Sequence, residues 1–411
     1  MPPRILFLAS KTGYQPRVFT EASARLGYRI QLATDRCHQL ADPWGDGALA
    51  FDFDNPSAIT VDSFDGILAA GDVPAYVASV VAAGSGLCYH PPDAVAAARN
   101  KYTARQRFAA AGLPVPRFVR VPLHDLSWLP DRYPCVLKPL GLSASRGVIR
   151  ANDSVEFRAA FARIRALLER PEIRQHRQEI DRYIQVEEFI PGREYALECL
   201  MTDGALRVLA IFDKPDPLDG PFFEESIYVT PSRAPAPIQD AMIAAVTRGA
   251  HALGLSHGPV HAEVRVNPAG VWILEIAPRP IGGLCARALR FQSGWGLEEV
   301  LLRHAAGEDT SGETAREGGS AVMMIPIARS GVYRGVTGLE AARATPDIES
   351  VEITATEGNE LTALPEGASY LGFLFAHAAT PESAEIAVRK AHGELRFTIS
   401  DVLPMAGSAR I

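Results

Sequence analysis

"HAEVRVNPAGVWILEIAPRP", residues 261–280, is the stretch on which the fold turns. Asn267, Pro268 and Gly270 occupy the first, second and fourth positions of a type I turn, and alternating apolar and polar residues flank them. The pattern predicts a β-hairpin. With Gly270 left-handed, the loop has three residues and closes on a G1 bulge, Asn267 faces Val271, and Glu263 lies directly opposite Glu275. Alternation then puts His261, Glu263, Arg265, Ile273, Glu275 and Ala277 on one face. Val260, Ala262, Val264, Val266, Trp272, Leu274 and Ile276 fall on the other, which is apolar and therefore the buried one. Like charges directly across a ladder repel, so something must offset the pair. One carboxyl is protonated, or Arg265 and Arg279 neutralise them, or a divalent cation bridges them. Magnesium suits the third option, because it is held by a few carboxylate oxygens together with water and phosphate. A salt-bridged surface hairpin explains the same residues, so the rest of the chain must decide.

The chain has 411 residues, of which 47% are hydrophobic, enough for a large core and two to four domains. No apolar run reaches the roughly 18 residues a transmembrane helix needs. The start, MPPRILFLASKTGYQ, reads as a first strand and lacks the cleavage site of a signal peptide. The five cysteines (Cys37, Cys88, Cys135, Cys199, Cys285) form no CxxC pair, which fits a reduced, cytoplasmic setting and no zinc knuckle. Net charge is −7. The densest basic stretch, FRAAFARIRALLER (157–170), spaces Phe157, Phe161, Ile164 and Leu168 as one helix face, so its arginines are a solvated surface and no nucleic-acid footprint exists.

Strand and helix patterns alternate through the first ninety residues: RILFLAS, RVFTEASARLG, YRIQLAT, FDGILAAG and PAYVASVVAAG. Short connections between them argue for a parallel, Rossmann-like α/β unit. Gly71 follows a strand, but no GxGxxG is present, so this unit reads as a supporting domain. Asn100 caps a helix carrying Lys101, and Gly112 with Pro114 and Pro116 ends it. YPCVLKPLGLSASRGVIRA (133–151) is strand, small-residue loop, strand, followed by a long helix that Pro171 stops. Residues 182–215 give three strands broken at Pro191-Gly192 and Asp203-Gly204, and 237–255 is a helix ending near Gly254. The polar, Gly-rich segment 306–320 marks a domain boundary, after which YLGFLFAHA, PESAEIAVRKAHG and ELRFTIS read as strand, helix and strand.

The loop in LKPLGLSASRGV (137–148) puts Lys138 before Ser143, Ala144, Ser145 and Gly147, whose backbone N–H groups and hydroxyls are free to approach phosphate. It is no GxxxxGK[ST], and no helix follows directly, which excludes Walker geometry. QVEEFIPGREYAL (185–197) sets Glu187, Glu188 and Glu194 around an apolar Phe189-Ile190 pair. Such a strand can offer adenine a backbone donor and acceptor and offer ribose a carboxylate.

The order of these pieces carries a resemblance. Lys101, Lys138, the acidic-apolar strand, Lys214 and the paired glutamates together resemble the ATP-grasp carboxylate–amine ligases, nearest in pattern to the bacterial L-amino acid ligases that make dipeptides. LKPLGLSASRGV, FDKPDPLDGPFFEESIYVTPS (212–232) and GPVHAEVRV…WILEIAPRPIGG are the carriers. The implied fold is mixed α/β and α+β: an N-terminal Rossmann-like parallel α/β domain (1–97), an ATP-grasp domain (98–305, lid about 115–190) and a C-terminal L-amino-acid-ligase-like α+β domain (306–411).

The resemblance also implies roles. Lys101, Lys138, Ser143, Ser145 and Gly147 bind ATP phosphates, with 141–148 as a lid. Glu187 meets the adenine amino group, Phe189 and Ile190 present backbone to the ring, and Glu194 holds the ribose. Lys214 approaches the terminal phosphate, and Glu263 and Glu275 hold Mg2+, or Mn2+ in its place. Arg279 holds the acyl phosphate or the substrate carboxylate, and Glu225 the first amino acid's ammonium. Three departures stand out. Ala277 replaces the Asn of the usual E-x-N third ligand, Tyr228 stands where some relatives carry His, and Gly283 in place of an aromatic implies a roomier first-substrate pocket. His261 is either a substrate contact or a hydrogen-bonded structural histidine. Tyr228 and Arg265 read as support, and His257 as having no role in the chemistry. The implied enzyme is an ADP-forming, C–N bond-forming ligase that takes small carboxylate and amine substrates, and the relatives' habit suggests a homodimer. The alternatives are another ATP-grasp ligase, a biotin-carboxylase-like carboxylase, or a nucleotide-binding module without turnover.

Overall fold

The structure is a computed structural model that describes residues 1–10, 14–35, 47–174 and 179–402, so Cys37 lies outside the described residues. The apolar strand Arg4–Ala9 is flanked in parallel by Arg29–Thr34 and Gly66–Ala70, with the short Leu49–Ala50 at the edge. Helices Tyr14–Leu26 and Asp72–Ser85 make the crossovers, as the strand–helix alternation predicts.

The lid subdomain is a four-stranded antiparallel sheet ordered Phe118–Pro122, Tyr183–Glu188, Cys135–Pro139, Ile149–Ala151. Asp153 caps the helix Ser154–Leu168, which lays Phe157, Phe161, Ile164 and Leu168 on that sheet. Pro171 does more than stop this helix. It opens a further single turn, Pro171–Arg174, where its missing N–H costs nothing.

An eight-stranded sheet forms the centre. In spatial order it runs Gly270–Ala277, Gly258–Asn267, Arg193–Thr202, Ala205–Asp213, Ile227–Thr230, Gly319–Ile325, Gly372–Ala378, Ile348–Ile353. Strands from beyond residue 318 therefore extend the sheet that carries the hairpin. The polar segment before them is a surface connection, not a gap in the sheet. Helix Ala236–Leu253, ended by left-handed Gly254, covers the hairpin with Met242, Val246, Ala250 and Leu253. A smaller sheet of Glu360–Leu361, Gly331–Thr337 and Arg396–Ser400 and the helix Pro381–Glu394 complete the C-terminal part.

The hairpin departs from its expected ladder in one respect. Asn267 pairs with Gly270, so the loop is the two residues Pro268-Ala269, and the extra residue is Leu274, between the pairs Val264–Ile273 and Glu263–Glu275. Asn267 accounts for the tight turn, since its Oδ1 accepts from the Ala269 N–H at 2.9 Å and the Trp272 indole at 3.1 Å. One inserted residue anywhere between turn and pair sets Glu263 opposite Glu275, so that expectation holds. The faces nearer the turn do change. Ile273 is buried (3% exposed) with Ile276, and Leu274 turns to the cavity beside Glu275.

Candidate active site

A cavity of about 340 Å³ lies between the lid sheet, the central sheet and the N-terminal domain. Of the residues singled out in the sequence, Lys101, Lys138, Ser143, Ser145, Glu187, Phe189, Ile190, Glu194, Glu225, Glu263, Glu275, Arg279 and Gly283 line it; Gly147 and Lys214 do not. Stretches as distant as residues 101 and 283 thus meet on one wall.

At the lid end, Lys138 and Glu187 sit on neighbouring antiparallel strands and are ion-paired. Arg105, from the helix Lys101–Ala110, donates to Glu187 from Nε at 3.1 Å and to the carbonyl of Ile273 at 2.9 Å; Gln185 donates to Glu187 at 2.8 Å. Burial alone would raise the Glu187 carboxyl, but Arg105 and Lys138 outweigh it and bring it down to about 2. Burial pushes the Lys138 ammonium below its ordinary value. Both groups expected on ATP are therefore bonded to each other here. Lys101 donates to the Leu142 carbonyl of the lid loop at 2.6 Å. Gly147, expected at phosphate, gives its N–H to Pro365 at 2.7 Å, and Arg146 donates to the carbonyl of Glu366 at 2.8 Å, so the lid loop is fastened to the C-terminal domain. Phe189 gives its N–H to Pro134 at 3.1 Å, and the Ile190 carbonyl accepts from Arg265 at 2.7 Å. Two of the backbone groups expected to face adenine thus already have partners.

Lys214 has moved furthest from expectation. Its ammonium is buried off the cavity wall and donates to Glu194 at 2.8 Å, Glu225 at 2.5 Å and Glu263 at 3.1 Å. Burial opposes its charge, but the three carboxylates raise it well above its ordinary value. Glu225, pushed up by burial and by Glu263 against the pull of Lys214, reaches about 7.

The offset to the Glu263–Glu275 repulsion is thus one the hairpin alone did not suggest. Lys214 stands against Glu263, and His261 Nε2 lies 3.6 Å from it, whereas Arg265 is committed to Glu194 at 2.8 Å and Arg279 to Asp72. His261 is hydrogen-bonded on its other side, Nδ1 to Glu198 at 3.0 Å. Burial disfavours its charge, but Glu198 and Glu263 hold it up at about 9.

Among the described residues, the carboxylates with metal-ligand spacing are Glu194, Glu225 and Glu263, and the Lys214 ammonium is bonded to all three. Glu263 and Glu275 themselves face one cavity with oxygen donors only, a set that fits a hard cation such as Mg2+ held partly by water and phosphate. Ala277, buried at the end of its strand, supplies no third ligand.

The other end of the cavity holds residues the sequence did not single out. Tyr14, Gln15, Gly71 and Asp72 come from the N-terminal domain, and Met324, Ala368 and Tyr370 from the C-terminal one. The available signal was Gly71, which ends its strand as a ligand-binding crossover does but lacks the glycine pattern of one. Beside Gly283 the expected extra room is absent. A Cβ there would meet the Phe373 ring at 3.1 Å, so an aromatic from a distant strand occupies that side. Tyr228 is buried with its ring 5.1 Å from the Lys214 ammonium, and Arg265 ties Glu194 to the Ile190 carbonyl, as support residues should.

Two subdomains that close on a cavity lined by lysines and carboxylates, with a carboxylate-bearing hairpin as one wall, define a class of nucleotide-handling protein, and the chain belongs to the ATP-grasp family. Residues 131–288 match the ATP-grasp domain, and residues 323–400 match L-amino acid ligase C-terminal domain 2. The structure is similar to that of an L-amino acid ligase from Bacillus licheniformis, with a TM-score of 0.80 and 25% identity over 97% of this chain and 99% of that one. A D-alanine–D-alanine ligase from Aromatoleum aromaticum is 28% identical over 39% of this chain and 50% of its own length. Carnosine synthase 1 of Gallus gallus is 35% identical over 24% of this chain and 10% of its own. The chain spans between 10% and 63% of the length of the curated relatives it matches. Among the described residues no helix is long and apolar enough to cross a membrane.

Proposed function

We propose that the protein is an ATP-dependent carboxylate–amine ligase that joins two amino acids into a dipeptide, releasing ADP and phosphate. The observation that carries this is the convergence of Lys101, Lys138, Glu194, Glu263, Glu275 and Arg279 on one cavity, closed at its far end by a domain of the L-amino acid ligase type. A carboxylate oxygen of the first substrate attacks the γ-phosphorus of ATP, the bond to ADP breaks, and an acyl phosphate forms. The amine of the second substrate attacks the acyl carbon, the C–O bond to phosphate breaks, and the amine proton leaves to solvent. Phosphoryl transfer of this kind is positioning and charge stabilisation. When bound, magnesium would be held by Glu263 and Glu275 and would neutralise phosphate charge. Lys101 and Lys138 add positive charge along the lid side, and Lys138 exchanges its Glu187 partner for phosphate as ATP enters. Arg279 stabilises the oxyanion that develops as the amine attacks. The lid loop, fastened to Pro365 and Glu366, excludes water that would hydrolyse the acyl phosphate.

The test is phosphate release from Mg·ATP across amino acids, singly and in pairs, for wild type beside Glu275→Gln. Release that needs a pair, a dipeptide mass in the products and silence from Glu275→Gln are expected. ATP binding without release from any pair would remove amino acids as the substrates.

A further inference from the structure

Arg279 is fixed from outside the ATP-grasp domain. Its Nε donates to Asp72 Oδ1 at 2.7 Å, and Asp72 belongs to the helix Asp72–Ser85 of the parallel N-terminal domain. Both side chains are mostly buried, 14% and 18% exposed, and both line the cavity. Burial would keep Asp72 protonated, but Arg279 first, then Lys101 and Arg99, outweigh it and leave a carboxylate. The backbone around Arg279 is held as well. Its own N–H donates to Ala277 at 2.9 Å, and the N–H of Ile281 donates to the buried carboxylate of Glu198 at 3.1 Å. An arginine side chain is long and rotamer-rich, so without such a partner its guanidinium samples many positions. One charge-assisted bond at Nε fixes the plane of the group and leaves its outer nitrogens to the substrate end of the cavity.

We propose that Asp72 is a positioning residue for Arg279, so that the N-terminal domain controls use of the acyl phosphate while ATP binding does not depend on it. This rests on the ligase function proposed above. Asp72 stands apart from the adenine and phosphate pieces, which belong to the lid and the hairpin, and its first partner is the one cavity residue assigned to the developing oxyanion. Losing a hydrogen bond to a charged group at such a position corresponds to about a 10- to 100-fold loss in turnover.

The experiment uses the full chain as wild type, Asp72→Asn, Asp72→Ala, Arg279→Lys and the double variant Asp72→Ala/Arg279→Lys. Equilibrium binding of a fluorescent ATP analogue with Mg2+ is read beside kcat and KM for the amino acid pair that wild type uses. Expected are a kcat about 10- to 100-fold lower in Asp72→Ala, a smaller loss in Asp72→Asn, and nucleotide affinity within about twofold of wild type. In the Arg279→Lys background, removing Asp72 costs less than about threefold more, because the two side chains act as one unit. An unchanged kcat in Asp72→Ala, nucleotide affinity that falls in step with kcat, or losses that multiply in the double variant would each overturn the proposal. If Asp72→Ala does not fold, Asp72→Asn is judged by the same criteria. Wild type without pair-dependent turnover defeats the ligase function and this proposal together; active wild type with an indifferent Asp72 defeats the proposal alone.

Discussion

Glu187→Gln removes the anion that two buried cations share, and the structure sets the size of the effect. The carboxyl is 3% exposed and is held down from 4.5 to about 2 by Arg105 and Lys138 against the opposing effect of burial. A folded-state value below the unfolded one contributes stability that is complete above the unfolded value and is lost as pH falls through the folded one. For this group the window runs from about 4.5 down to about 2. At 1.36 kcal/mol per unit, the ionised carboxylate contributes about 3 kcal/mol at pH 7 and about 1 kcal/mol at pH 3. The larger figure matches the about 3–5 kcal/mol seen when one partner of a buried pair is removed. Urea unfolding of wild type and Glu187→Gln, followed by fluorescence at pH 7 and at pH 3 to 4, should therefore show a gap that narrows toward acid. An equal gap at both pH values would refute the assignment, because the loss would then come from packing and not from charge. Nucleotide affinity should fall too, since Lys138 loses the partner that presents it to the cavity.

Gly283→Ala should destabilise the protein by about 1–2 kcal/mol, because φ is +65° there and the new Cβ meets Phe373; a thermal melt reads it, and an unchanged melting temperature counts against the contact. Arg146→Ala, which frees the lid loop from Glu366, should weaken ATP binding about three- to tenfold with little change in melting temperature, because a preorganised lid is lost. Equilibrium nucleotide binding checks it, and unchanged affinity would show that the fastening plays no part in closure.

Much of this was legible in the chain. Periodicity marked the parallel domain, the lid strands, the helix of Phe157 to Leu168 and the hairpin, because each element's burial repeats at its own period along one segment. The facing of Glu263 and Glu275 was also readable, since any single inserted residue between turn and pair gives it. The position of that insertion was not. It depends on how Asn267 holds the turn and on Ile273 seating in the core under the helix Ala236–Leu253.

The sequence by itself determined which residues are candidates, because residue type, turn chemistry and spacing are local properties. Tertiary structure alone decided their partners. Lys214 meets Glu194, Glu225 and Glu263, Lys138 meets Glu187, and Gly283 meets Phe373 across long separations in the chain. Asp72 reaches Arg279 across 207 residues. Charge pairing and steric contact depend on distances in space, and no period along the chain encodes which of many carboxylates a buried cation will find when the sheets close.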